Sequence, residues 1–128
     1  MKLAQRILGF VAVAFGLATI VAGGRVLAGA DPGYVVFRPL LFFNAAMGVV
    51  YVATGVITLR SVARGKLAAA AIFALNLLVL GIIGYVYATS SDVAIDSIRA
   101  MSFRTFVWLV VFLGLAWLDR GRHAPGSG

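Results

Sequence analysis

The sequence predicts an all-α integral membrane protein, four transmembrane helices in an up-down bundle with both termini on the cytoplasmic side. Three observations carry this. Four apolar stretches, at about 7–23, 40–59, 67–88 and 98–118, fill most of the 128 residues. Hydrophobic residues make up 62% of the chain and its mean hydropathy is +1.05, against roughly 45–50% apolar usage in soluble domains. The 11 Lys and Arg residues gather mainly at the ends of the stretches.

A hydrocarbon core of ~30 Å takes about 20 helical residues to cross, a length the last three stretches meet. Lipid offers backbone N–H and C=O groups no partner, so spanning segments bond internally as helices. The first stretch is shorter and follows Lys2 and Arg6, which also gives it the look of a signal peptide with Ala28-Gly29-Ala30 as a cleavage site. Its length and the following Arg25 favour an uncleaved helix. Pro32-Gly33 suits a type II turn, where Pro presets φ and Gly takes the positive φ. Residues 34–37 read as a short apolar strip on the membrane surface, and Arg38-Pro39 opens the second helix, since Pro is tolerated in a first turn.

Residues Arg60–Lys66 are expected to form a tight connection, with Gly65 as C-terminal punctuation. Before the fourth stretch, Ser90-Ser91-Asp92 offers N-cap chemistry. No Gly or Pro follows until Gly114, so the helix is expected to begin near Asp92 and to carry Asp92, Asp96 and Arg99 on one face. Residues 1–120 form a single domain on this reading, and 121–128 a disordered tail.

Seven basic residues (Lys2, Arg6, Arg60, Arg64, Lys66, Arg120, Arg122) fall on one side with only Asp119 to offset them. Arg25, Arg38, Arg99 and Arg104 fall on the other, diluted by Asp31, Asp92 and Asp96. The positive-inside rule then puts both termini in the cytoplasm, in the inner (plasma) membrane of a bacterial-type cell. That cytoplasmic face is expected to attract anionic lipids. Nucleic acid is not an expected partner of the +7 net charge, because the basic residues do not share a soluble face.

The chain has no Cys and no Glu, and its one His, His123, lies in the tail. Thiolate chemistry, a catalytic zinc with three clustered ligands and a haem with axial ligands at membrane depth have no residues to build on. No cofactor is expected, with a bound lipid or quinone as the remaining option, and catalysis is not expected. Small multidrug exporters and glutathione-using membrane enzymes each depend on a Glu, and quinone-linked disulfide formers on Cys. In gross plan the chain resembles the DoxX-type four-helix membrane proteins, through its Gly-rich first and second helices.

Polar groups at membrane depth are costly and so invite attention. Arg38 and Arg104, with Tyr51 and Tyr85 at similar depth, could frame a pocket for a lipid phosphate, a quinone head group or an anionic solute. Alternatively, both Arg snorkel to the interface. Asn44 and Asn76 could contact a ligand or hydrogen-bond between helices. Gly16, Gly23, Gly48, Gly55, Gly81 and Gly84 are the candidates for close helix packing, the first four repeating a Gly-x6-Gly spacing in the first two helices. The function expected is non-catalytic: helix association, as an accessory or scaffold subunit of a larger membrane complex or as a homo-oligomer. A small channel or transporter for an anionic or neutral solute is the alternative, and a lipid- or quinone-binding protein a weaker one.

Overall fold

A computed structural model describes residues 2–29, 33 and 37–123. Four helices follow one another: α1 (Lys2–Leu27), α2 (Arg38–Arg60), α3 (Val62–Thr89) and α4 (Ile95–His123). They form an up-down bundle, and each is long and apolar enough to cross a membrane. The chain is thus a multi-pass membrane protein with four candidate spans. Residues 124–128 of the expected tail, and all but Gly33 and Phe37 of the 30–37 connection, lie outside the described residues. α4 itself continues through His123.

Local chemistry sets the ends. α1 stops where Gly29 adopts φ +111°, a conformation open to glycine, and Gly33 takes φ +85°. Pro39 sits in the first turn of α2, as its fixed φ allows.

The α2–α3 connection is tighter than expected. Ser61 alone separates the helices: its N–H bonds back to the Ile57 carbonyl at 2.8 Å, and its hydroxyl caps α3 by accepting from Arg64 N–H at 3.3 Å. Ser is a preferred N-cap, so one residue ends one helix and starts the next. Gly65, expected to punctuate, lies inside α3 and is buried against Thr58. A methyl group there would overlap the Thr58 side chain and lie 2.9 Å from its Cα. Glycine is needed at 65 for close approach rather than for termination.

α4 begins later than Asp92. The Ser90 hydroxyl accepts from the Asp92 N–H at 3.2 Å, a local bond that competes with helix, and residues 91–93 form bends. Asp92 therefore does not share a helical face with Asp96 and Arg99.

Packing is uneven around the bundle. α1 meets α2 most extensively and α3 meets α4 next, whereas α1 touches α4 lightly. The α1–α2 seam is built from glycines. A methyl on Gly16 would lie 2.7 Å from the Gly48 carbonyl and from Val52 N, and one on Gly55 would lie 2.7 Å from the Gly9 carbonyl. A methyl on Gly23 would meet Ala45 at ordinary contact distance, 3.5 Å. Gly9, Gly16 and Gly23 recur every seven residues, and so do Gly48 and Gly55, which keeps them on one stripe of each helix. Without a hydrophobic driving force between helices in lipid, such close backbone approach is what holds the pair together.

The end that carries the termini is also fastened by polar contacts. Gln5 Nε2 donates to the Thr58 carbonyl at 2.8 Å, satisfying one of the last carbonyls of α2 that its own helix leaves unpaired. Lys66 on α3 pairs with Asp119 on α4 at 2.7 Å. The core splits accordingly. One cluster, including Ala12, Tyr51, Ile72, Trp108 and Leu115, draws on all four helices. The other, Leu40, Ile83, Val93 and Met101, lies toward the opposite end and has no buried residue from α1.

Candidate functional site

Two polar features stand at membrane depth: a sealed node at mid-bundle and an open cleft beside it. At the node, each helix contributes a residue from near its middle. Tyr51 on α2 donates its hydroxyl to Asn76 Oδ1 on α3 at 3.2 Å, and both side chains are fully buried. The Tyr51 ring lies 4.8 Å from Trp108 on α4 and 5.6 Å from Phe15 on α1, centroid to centroid. Phe15 in turn meets Trp108 edge-on at 6.5 Å. Asn76 Nδ2 and Trp108 Nε1 are buried without a hydrogen-bond partner, a cost tolerated only where packing fixes the geometry.

The cleft opens between α1 and α4 on the side away from the termini. It encloses about 230 Å³. Phe15, Ala18, Thr19 and Ala22 form the α1 wall, and Ala100, Phe103 and Arg104 the α4 wall. Its cause is the uneven packing. α1 is drawn onto α2 by the glycine seam, α4 is held by α3, and Leu8 against Gly114 closes the gap only toward the terminal end. Thr19 bonds its hydroxyl to the Phe15 carbonyl at 2.8 Å, so the α1 wall is apolar in effect. Phe15 belongs to both features, lying 6.1 Å from Phe103 in the cleft.

Arg104 is the charged group of the cleft. If the Lys66–Asp119 ion pair marks one edge of the hydrocarbon, about 20 residues of α4 reach from there to Arg99. Arg104 then lies roughly 7 Å inside the other edge. Cα–Cβ bonds on a helix tilt toward its N-terminus, which for α4 is that nearer edge. Small residues, Ala100 and Ala22, line the cleft there.

Of the residues singled out in the sequence, the fold thus brings together Tyr51, Asn76 and Arg104. It does not bring in the rest. Arg38 is exposed at the first position of α2, Tyr85 is 72% exposed on the outside of α3, and neither lines the cleft. Asn44 is half-buried on α2, its Oδ1 without a partner. Gly16, Gly23, Gly48 and Gly55 pack within the chain, but a methyl on Gly81 or Gly84 would meet nothing within 4 Å. These two take no part in packing the bundle.

Phe15 and Trp108 are not among the residues the sequence singles out. One signal was present: Phe15, Tyr51, Asn76 and Trp108 each fall near the midpoint of their helix, so an up-down bundle sets them at one level. Trp108 is fully buried there, whereas Trp117 is 72% exposed. Among the described residues no group of three His, Cys, Asp or Glu could hold a metal ion. No protein-family model, curated protein or solved structure matches the chain.

Proposed function

We propose that the protein works by helix association, as an accessory or scaffold subunit of a larger membrane assembly or as a homo-oligomer, and that α3 supplies the contact. The observation that carries this is the pair of unused glycines on α3, Gly81 and Gly84. Glycine weakens a helix by about 0.8–1 kcal/mol relative to alanine, and among the described residues nothing fills the space it frees at either position. Where glycines do pack here, along the α1–α2 seam, they admit a second backbone. The outward face of α3 repeats the pattern of that seam: Ala74, Gly81 and Ala88, all exposed, fall seven residues apart. Close approach of another transmembrane helix accounts for that spacing.

On this reading Gly48 and Gly55 do not meet the partner, because α1 already covers them. The protein sits in the inner (plasma) membrane with both termini cytoplasmic, where the basic residues of that end meet anionic lipid head groups.

The test is gentle detergent extraction followed by size analysis and mass spectrometry of wild type, Gly81→Leu and Gly84→Leu. Wild type should run with partner subunits, whether copies of itself or larger proteins, and the two variants should run alone with unchanged thermal stability. A wild type that runs as a monomer, or variants that keep their partners, would overturn the proposal.

A further inference from the structure

The geometry points to the α1/α4 cleft as a binding site for one anionic amphiphile, its phosphate or carboxylate head on Arg104 and its chain against the apolar α1 wall. Three observations converge. First, the cleft is open, so a molecule dissolved in the bilayer can enter sideways between two helices that touch each other only lightly. Secondly, its volume of about 230 Å³ falls below the ~300–1,000 Å³ of a pocket that engulfs a drug-sized ligand. A cleft of that size holds a head group and the first part of a chain while the remainder stays in lipid.

Thirdly, the lining divides by chemistry. Phe15, Ala18, Ala22 and Phe103 present hydrocarbon, and Arg104 presents the charge. A guanidinium carries five N–H donors in a planar fork suited to carboxylate and phosphate oxygens. Arg104 places that fork on the cleft wall. An arginine at membrane depth is costly, and an anionic head beside it offsets part of that cost. Ala100, one turn nearer the membrane surface, leaves room for the head where a larger side chain would fill it.

Trp108 supplies a local probe, because it sits behind Phe15, the residue shared by node and cleft. The full chain carrying Trp117→Phe keeps Trp108 as its one tryptophan. It is reconstituted in phosphatidylcholine vesicles, and its fluorescence is followed as chain-brominated phosphatidylglycerol, phosphatidylcholine or stearate is added. Quenching at low mole fraction by the brominated phosphatidylglycerol identifies a lipid phosphate, and quenching by the brominated stearate a free carboxylate. Loss of a charged hydrogen bond predicts that Arg104→Gln raises the half-saturating mole fraction about tenfold or more.

Arg104→Gln removes a charge from the membrane interior, so insertion is not impaired. Ala22→Leu, which fills the cleft and leaves the charge in place, should abolish the quenching as well. Arg99→Gln, at an exposed position near the same end, should not alter it. Equal quenching by the phosphatidylcholine and the two anionic probes, or quenching indifferent to both Arg104→Gln and Ala22→Leu, would overturn the assignment.

Discussion

Replacing Gly55 by alanine adds one methyl group to a place with no room for it. That methyl would overlap Val13 Cγ2 and lie 2.7 Å from the Gly9 carbonyl oxygen and 2.8 Å from Val13 N. A side chain can rotate away, but two of these three neighbours are backbone. Ordinary contact begins near 3.4 Å, so α1 and α2 must part by about 0.7 Å at this level. A radial gap of ~0.5–1 Å forfeits roughly a quarter to a half of each dispersion contact along the seam, and overpacking of this kind costs about 1–3 kcal/mol. Gly81→Ala is the matched control: the same chemical change, also in a spanning helix, meeting nothing within 4 Å. It should be neutral or gain up to ~1 kcal/mol of helix propensity. The propensity gain is common to both substitutions, so they should differ by the overpacking cost, about 2 kcal/mol, roughly thirtyfold in the folding equilibrium. Titration of purified protein from mild detergent into dodecyl sulfate, followed by tryptophan fluorescence, measures this. Coincident midpoints for Gly55→Ala and Gly81→Ala would refute the argument that the seam is held by backbone contact.

Other outcomes follow from the same geometry. Gly65→Ala should destabilise by about 1–3 kcal/mol in that titration, because Thr58 Cα stands 2.9 Å from the new methyl. Tyr51→Phe should cost about 0.6 kcal/mol, the average for a hydrogen bond between membrane helices, and a loss above ~2 kcal/mol would show that the node does more than join α2 to α3. A double-mutant cycle on Lys66→Met and Asp119→Asn should give a coupling of about 0.5–1 kcal/mol that shrinks in high salt, since the Lys66 side chain remains 30% exposed.

Much of the fold is legible because lipid leaves a chain few choices. Span number and the start of α2 at Arg38-Pro39 follow from residue chemistry acting locally, and the structure places them where that chemistry says. Neighbours are harder to read. Gly48 and Gly81 look alike in sequence, yet one touches α1 backbone and the other faces outward, because spacing defines a stripe on a helix and not what lies across from it. Gly65 shows the converse. A glycine near a connection reads as a stop, but Ser61 already ends the helix and Gly65 serves the close approach of Thr58. At the site, Tyr51, Asn76 and Arg104 stand out as polar groups in apolar helices. Their union with Phe15 and Trp108 depends on rotation of each helix about its axis, which an all-round apolar sequence encodes weakly.

The single-residue hinge at Ser61 bears on how the bundle meets bilayers of different thickness. With no slack between them, α2 and α3 share one anchoring level and tilt as one fork, steadied by Gln5 and by the Lys66–Asp119 clasp. A thinner or thicker membrane is then accommodated by the far ends of α1 and α4, which touch each other only lightly. The width of the space between those two helices becomes a gauge of the surrounding lipid.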